Sequence, residues 1–434
     1  MDYRETIDYL YSRLPVFHKI GLPAYRPDLR NINTLCQRLE NPQNRFRSVH
    51  IGGTNGKGSV SHMLAAILQT AGYKTGLYTS PHLVDFRERI RVNGCMIPEE
   101  DVVRFVAANR SGIEGISPSF FEVTVAMAFW YFALQEVDIA VVEVGMGGRL
   151  DSTNIITPEL SVITNIGLDH VHVLGSTLDA IAGEKAGIIK FGVPVVIGEY
   201  QEETAPVFRE KAAQMQAPVH FASLDWDVNS INREEGFLEI AVRSSTFGKT
   251  LDLQLDLTGG YQKKNIRTVL SAVEELKKRG FTVGDKIVRD AVRRVKALTG
   301  FAGRWQILSA APLMVCDTGH NQDGIREVLQ QISATPHEKL HIVFGMVNDK
   351  DVEKILTILP QKACYYFCKA GVPRAMDENV LQEKAFAAGL RGEAFTSVKE
   401  AVEAARQAAS VLDMIFIGGS TFVVAEAIVA ANTL

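Results

Sequence analysis

The chain is poor in cysteine, and its cysteines show no pattern. Cys36, Cys95, Cys316, Cys364 and Cys368 are scattered through 434 residues. They form no CxxC pair and no zinc spacing. That excludes a disulfide framework and a structural zinc module, and points to reduced thiols in a cytoplasmic protein. An excess of charge of one sign is also missing. Lys and Arg number 46 against 50 Asp and Glu, a formal net charge of −4. No broad basic surface for nucleic acid is expected, although a local basic cleft is compatible with that total. Long apolar runs are absent too. The most apolar stretch, Val123 to Leu134, falls short of the ~18 residues of a membrane span and reads as a buried helix. Met1-Asp2-Tyr3-Arg4-Glu5 lacks the apolar core of a signal peptide. No membrane partner is expected. No repeat of fixed period and no low-complexity tract occurs.

What is present is an ordinary globular composition, 46% apolar and 22% charged, long enough for two or three domains at ~150 residues each. Short β-branched runs alternate with helical patterns, which predicts an α/β fold with mostly parallel sheets. Arg47 to Gly52 reads as a strand and Ser59 to Ala71 as the helix after it. Asp138 to Gly145 is apolar on both faces, as buried parallel strands are. Leu160 to Asn165 and Val193 to Gly198 are further strands. Between about 220 and 258 the texture changes: Phe237–Arg243 and Leu251–Leu257 alternate strictly, the mark of antiparallel strands with one wet face. Helices are expected over about Gln262–Arg279 and Gly284–Ala297. The glycines of Leu298-Thr-Gly-Phe-Ala-Gly-Arg304 interrupt the pattern, so the domains are expected to span 1–297 and 298–434. The second is again α/β, with strands at Leu313–Asp317, Leu340–Phe344, Ala363–Cys368 and Met414–Ile417.

Gly52-Gly53-Thr54-Asn55-Gly56-Lys57-Gly58-Ser59 lies between a strand and a helix, where a phosphate-binding loop must sit. Its glycines allow backbone N–H groups close to phosphate oxygens, Lys57 supplies a point charge, and the helix N-terminus adds a positive dipole end. The strict GxxxxGK[ST] pattern is not met, because Ile51 takes the first glycine position and Gly58 precedes Ser59. Glu143 closes its strand at the carboxyl end, where ligands of open α/β sheets bind. It could hold Mg²⁺ directly or through water. The Gly145-Met-Gly-Gly-Arg-Leu-Asp151 loop that follows is too glycine-rich for a simple connection. His170, in Gly167-Leu-Asp-His170, reaches the same edge, and spacing does not separate it from His172. Lys185 and Lys190 near a helix C-terminus read first as partners of the helix dipole. In the second domain, Asp317-Thr-Gly-His-Asn321 sits on a strand-to-helix turn that would face any cleft between the domains. Arg304 lies on the hinge. Each of these also reads as an ordinary turn or surface charge.

Taken together these motifs resemble folylpolyglutamate synthase, including the bifunctional dihydrofolate synthase/folylpolyglutamate synthase, among the Mur-type amide ligases. The likeness is carried by Gly53–Ser59, Thr79-Ser-Pro-His-Leu-Val-Asp-Phe-Arg-Glu-Arg-Ile90, Phe120-Phe-Glu122, Glu143–Asp151, Gly167–His170, Glu184–Ile188, Gly303-Arg304 and Asp317–Asn321. It implies a P-loop-containing, Mur ligase-like central domain followed by a smaller Rossmann-like α/β C-terminal domain. It implies ATP contacts at Thr54, Asn55, Gly56, Lys57, Gly58, Ser59, Asn265, Arg304 and Asp317. Mg²⁺ ligands are implied at Ser80, Glu143, His170 and a carbamylated Lys185, and a monovalent cation such as K⁺ is a further expected cofactor. Ser119, Phe121 and Asp151 would contact the pterin-bearing substrate. His320 and Asn321 would orient glutamate or the intermediate, and Lys57, Lys185 and His320 would carry catalysis. The implied reaction uses ATP to convert a folate or 7,8-dihydropteroate carboxylate to an acyl phosphate, which the amine of L-glutamate attacks. A monomer is expected. The rival readings are a Mur-type ligase acting on a cell-wall precursor and a P-loop NTPase switch. The GKGS ending and the Thr79–Ile90 motif argue against the first, and the His170 and Lys185 motifs against the second. The sequence departs from the resemblance in carrying Asp317-Thr-Gly-His-Asn-Gln322 where relatives often have Asp-Gly-Ala-His-Asn-Pro.

Overall fold

A computed structural model describes residues 1–16, 28–234, 236–348 and 351–431. It divides into two compact units. The first comprises 1–256 and 261–301; the second comprises 257–260 and 302–434. Residues 298–301, expected in the second domain, stay with the first. The Thr299 hydroxyl is 2.8 Å from His62 Nδ1, and the Phe301 ring packs 4.6 Å from the His62 ring.

The described strands of the first unit form two sheets. The larger is ordered β4-β3-β2-β5-β1-β6-β7-β8. Its strands are β1 (Arg47–Gly52), β2 (Thr75–Tyr78), β3 (Ile90–Val92), β4 (Cys95–Met96), β5 (Ile139–Glu143), β6 (Leu160–Ile163), β7 (Val195–Ile197) and β8 (Val219–Phe221). All neighbours pair parallel except at the β2–β3 and β3–β4 edge. Strand β5 is buried along its whole length. That is why its sequence is an unbroken apolar run ending in Glu143. Chain progression switches sides at β1, with β5 on one side and β6 on the other. Open α/β sheets bind ligands at such a point.

Helix Lys57–Thr70 follows β1, with its residues from Ser59 to Leu68 buried. Helix Phe120–Leu134 is apolar almost all round and packs on Ala140 and Val142 of β5. Its start is fixed by a capping box. The Ser119 hydroxyl accepts the Glu122 N–H, and the Glu122 carboxylate accepts the Ser119 N–H.

The antiparallel region holds three strands rather than the two read from alternation: β9 (Asp227–Glu234), β10 (Phe237–Ser244) and β11 (Lys249–Leu255). Strand β9 is almost wholly exposed, so it has no apolar face to alternate with a polar one. The helix expected over Gly284–Ala297 is broken into Asp285–Val292 and Val295–Thr299. No glycine or proline causes the break. Asp256 inserts instead: its N–H donates to the Val292 carbonyl, and its carboxylate accepts the Lys296 N–H at 2.8 Å.

The described strands of the second unit form one sheet in the order β12-β13-β17-β14-β15-β16. They are β12 (Gln306–Ala310), β13 (Leu313–Cys316), β14 (Leu340–Phe344), β15 (Cys364–Cys368), β16 (Gly392–Phe395) and β17 (Met414–Gly418). All pairs are parallel except the edge pair β12–β13. Among the described residues no helix is long and apolar enough to cross a membrane.

Candidate active site

The loop after β1 is shaped by its glycines. Gly53 has φ +135°, and a Cβ there would overlap Thr164 Oγ1. Gly56 has φ +86°, and a Cβ there would overlap Asn265 Oδ1. Only glycine fits either backbone. Polar bonds stitch the loop to the segment after β6. Thr54 N–H donates to the Asn165 carbonyl at 2.9 Å, Asn55 N–H to Asn165 Oδ1 at 2.9 Å, and the Thr164 hydroxyl to the Asn55 carbonyl at 2.6 Å. Asn165 leads directly into Gly167–His170, so the loop and the predicted histidine share one support. From the other side, Asn265 donates to Gln262 at 2.7 Å, and Gln262 to the Ser59 hydroxyl at 3.2 Å. The predicted ATP residues Thr54 to Ser59 and Asn265 are therefore one assembly.

Two lysines meet at this loop. Lys57 Nζ donates to the carbonyls of Gly53 and Thr54, each at 3.1 Å, and Lys185 Nζ donates to the Gly53 carbonyl at 2.9 Å. Lys185 is buried. Burial first, and the charge of Lys57 second, bring its pKa down from 10.5 to about 7.

Glu143, also buried, stands next to the loop. Its Oε2 is 3.4 Å from the Ser80 N–H and would be 3.9 Å from a Cβ on Gly58. Ser80 and Glu143, predicted to share a metal, are thus in contact. His170 has φ +50° and lies with its Nε2 3.9 Å from Asp169 Oδ1, whereas His172 is exposed in the short helix that follows. No group of three or more His, Cys, Asp and Glu side chains able to hold a metal occurs among the described residues. The donors present still suit Mg²⁺. It favours hard oxygen ligands, keeps several waters, and is commonly held by one or two carboxylates together with nucleotide phosphates. A carboxylate and a hydroxyl-bearing residue beside a phosphate loop match that chemistry.

Strand β5 also leads into the Gly145–Asp151 loop. Gly145 is pressed between two predicted substrate residues: a Cβ there would lie 2.7 Å from Phe121 Cε2 and 3.2 Å from Asp151 Oδ2. Phe121 is partly exposed and packs 6.2 Å from the Tyr78 ring. Asp151 is buried, which raises its pKa, against the opposing effect of hydrogen bonds from Thr153, Met146 and Gly145. Ser119 is used differently from Phe121 and Asp151. Its hydroxyl donates to Glu122 at 2.8 Å and accepts the Glu122 N–H at 3.2 Å, so it is engaged in the helix cap.

In the second unit, Asp317 follows β13 and is buried. It accepts the Trp305 N–H and the Gly319 N–H, each at 2.8 Å, and so ties the Gly303-Arg304-Trp305 turn to the Asp317–His320 turn. His320 Nδ1 is 3.0 Å from the Thr318 carbonyl, a bond in which Nδ1–H must be the donor. Asn321 caps helix Gln322–Ser333 by accepting the Gly324 N–H at 2.8 Å. Asp317, His320 and Asn321 thus share one turn, to which the turn carrying Arg304 is tied through the Trp305 N–H.

The sequence reading missed three side chains that shape the first site: Thr164, Gln262 and His50. His50 alone left a signal, as a histidine within the otherwise apolar run Val49-His50-Ile51.

Comparison with known proteins gives a consistent picture. Residues 51–273 match the Mur ligase middle domain, and residues 303–421 match the Mur ligase glutamate ligase domain. The chain is 33% identical to the probable bifunctional folylpolyglutamate synthase/dihydropteroate synthase of Haloferax volcanii, over 98% of its own length but 50% of that relative. It therefore spans half the length of that protein. It is 33% identical to the dihydrofolate synthase/folylpolyglutamate synthase of Bacillus subtilis over 86% of each chain. Among solved structures, Escherichia coli FolC in complex with DHPP and ADP superposes with a TM-score of 0.87 at 29% identity, covering 100% of this chain and 98% of that one.

Proposed function

The chain belongs to the Mur ligase family, in its folylpolyglutamate synthase/dihydrofolate synthase branch, and from that membership we infer that it is an ATP-dependent ligase joining L-glutamate to a folate carboxylate. Relatives carry both activity names, and the inference extends to 7,8-dihydropteroate as a second acid substrate. The observation that carries it is the assembly at the end of β1 and β5. A phosphate loop with Lys57 stands beside the buried Glu143, which touches Ser80, and Phe121 and Asp151 stand together at the next loop of the same strand.

A carboxylate does not condense with an amine in water near neutral pH, so the acid must first be activated. In this reading the γ-phosphoryl group of ATP passes to the substrate carboxylate and ADP leaves. The glutamate amine then attacks the acyl carbon and phosphate departs. Residues Thr54 to Ser59 cradle the phosphates, with Lys57 turning from its loop carbonyls to the transferring group. Asn265 supports the loop, and Arg304 and Asp317 are assigned to the nucleotide. Glu143 and Ser80, with His170, would hold Mg²⁺, which when bound neutralises charge on the phosphates. His320 and Asn321 are assigned to glutamate, and Ser119, Phe121 and Asp151 to the pterin end. Lys185 is the candidate for carbamylation. A pKa near 7 leaves a large share of its amine neutral, and only the neutral amine can form the N–C bond to CO₂, releasing a proton. The product would turn a cation into an oxygen ligand. Unpaired thiols at all five cysteines fit a cytoplasmic enzyme.

The test is ADP release with Mg-ATP, L-glutamate and either tetrahydrofolate or 7,8-dihydropteroate. Turnover that requires both the acid and glutamate is expected with at least the folate. Hydrolysis indifferent to glutamate would mean a nucleotide switch, and turnover only with a UDP-linked acid would mean a cell-wall ligase.

A further inference from the structure

Beneath the Gly145–Asp151 loop a polar chain runs from His50 through Thr153 to Asp151. His50 lies within β1 with no exposed surface, and its Nε2 is 2.8 Å from the Thr153 hydroxyl oxygen. That hydroxyl donates to Asp151 Oδ1, and the Thr153 N–H donates to the same oxygen at 3.0 Å. A hydroxyl has one proton. Here it is committed to the carboxylate, so the bond from His50 must run from Nε2–H to the Thr153 oxygen. This fixes the ring's tautomer and leaves the lone pair on Nδ1, which is buried and has no hydrogen-bond partner. Burial, reinforced by the charge of Lys190, brings the pKa of His50 down to about 3, so the ring is neutral. A half-satisfied buried imidazole costs stability that a valine or isoleucine in this apolar strand would not cost. Its one engaged atom leads to Asp151.

At the far end of the chain, Asp151 Oδ2 accepts the Met146 N–H at 2.9 Å and borders Gly145, against which Phe121 also packs. With Oδ1 taken by both donors of Thr153, the carboxyl plane is fixed and Oδ2 is the oxygen on the Phe121 side. We propose that His50 is a positioning residue for substrate recognition. Acting through Thr153, it sets the Asp151 carboxyl so that Oδ2 stands beside the Phe121 ring as acceptor for the N–H edge of a flat heterocycle. This rests on the assignment of Phe121 and Asp151 to the pterin end of the substrate. It also ties the strand that carries the phosphate loop to the recognition of the other substrate.

The test is steady-state kinetics on a small set of variants, with ADP binding measured on each to verify an intact nucleotide site. Thr153→Val keeps the shape and removes the hydroxyl, and Thr153→Ser returns it. His50→Leu removes the donor, and His50→Gln keeps an N–H near the Nε2 position. Thr153→Val and His50→Leu should each raise KM for the folate by about tenfold while kcat and KM for ATP hold. The Ser and Gln variants should recover most of the loss. The double variant should be no worse than either single one, because both cut the same chain. Asp151→Asn separates the two layers. If it leaves the folate KM unchanged, the substrate assignment is wrong and the proposal falls with it. If it raises that KM while Thr153→Val does not, the assignment stands and the relay is overturned. Equal losses in kcat and in both KM values, or no recovery with Ser and Gln, would reduce His50 to packing and likewise overturn the proposal. Should His50→Leu fail to fold, His50→Phe, which keeps a ring and removes the donor, takes its place with the same expected outcome.

Discussion

The phosphate loop and the Gly145–Asp151 loop leave adjacent parallel strands, β1 and β5, yet they are held in different ways. The first is held mainly through its backbone. Thr54 and Asn55 are pinned through N–H and carbonyl groups, and Gly53 and Gly56 take conformations closed to other residues. The second is held by side chains, buried at Asp151 and Asn154 and half-buried at Lys190. Asp151 gathers N–H groups from the loop, Asn154 donates to the carbonyls of Arg149 and Gly187 at 3.0 and 3.1 Å, and Lys190 donates to the Asn154 carbonyl at 2.8 Å. A backbone-held loop tolerates few residues and so announces itself. A side-chain-held loop depends on partners far away in sequence, which no local pattern reveals.

The largest expected effect tests the backbone half of that contrast. Gly53→Ala places a Cβ into Thr164 at φ +135°. Strain and overlap together should cost about 3 kcal/mol or more. ADP affinity measured by calorimetry should fall at least about a hundredfold, the factor that such a cost implies. Near-normal affinity would mean that the loop adapts and that its glycines are not its determinant.

Next comes Lys185, where the two modes of support meet, since a buried side chain holds a loop carbonyl. Its pKa is 10.5 when exposed and about 7 in the folded chain. Between those values the unfolded chain binds a proton that the folded one does not. Stability contributed at this site therefore rises with pH across that window, and the cost is fully present below about 7. In carbonate-free buffer, Lys185→Met should flatten this slope. Below the folded pKa it should unfold at higher urea than the parent, by at least about 1 kcal/mol, while ligase activity is lost. An unchanged slope would show that Lys185 is not buried as a cation. Lys185→Ala with added short carboxylic acids checks the carbamate separately: partial return of activity supports it, and undiminished activity without the acids rejects it.

The same contrast explains what was legible in the sequence. The parallel strand β5 could be read from its unbroken apolar run, and the phosphate loop from its glycines and lysine. The edges of the fold could not. Strand β9 is too exposed to carry a periodic pattern. The helix break near Arg294 is imposed by Asp256, almost 40 residues earlier. At the site, Ser80 was implied only by the family resemblance, while Lys57 and Glu143 stood out because chemistry demands those residue types beside phosphate. Thr164 and Gln262 did not, since a threonine or glutamine that buttresses a loop looks like any other. Between His170 and His172, spacing offered no choice. In the fold the two differ in burial, His172 being exposed and His170 half-buried with its Nε2 3.9 Å from Asp169 Oδ1.

The smallest effect is expected at Asn265, which presses on the phosphate loop from the later helix. Its Oδ1 abuts Gly56, and its amide donates to Gln262, which reaches Ser59. Asn265→Ala removes that buttress but leaves every backbone bond of the loop to the Thr164–Asn165 segment in place. If the backbone is the main support, the loss should be near that of a single hydrogen bond, about 1 kcal/mol. ADP affinity should then weaken by several-fold, with the folate KM unchanged. A loss as large as that of Gly53→Ala would show that the loop depends on its side-chain buttress after all. A rise in the folate KM would show that the two loops are mechanically joined through more than the His50 chain. A modest drop confined to nucleotide affinity is what a loop built from backbone should give.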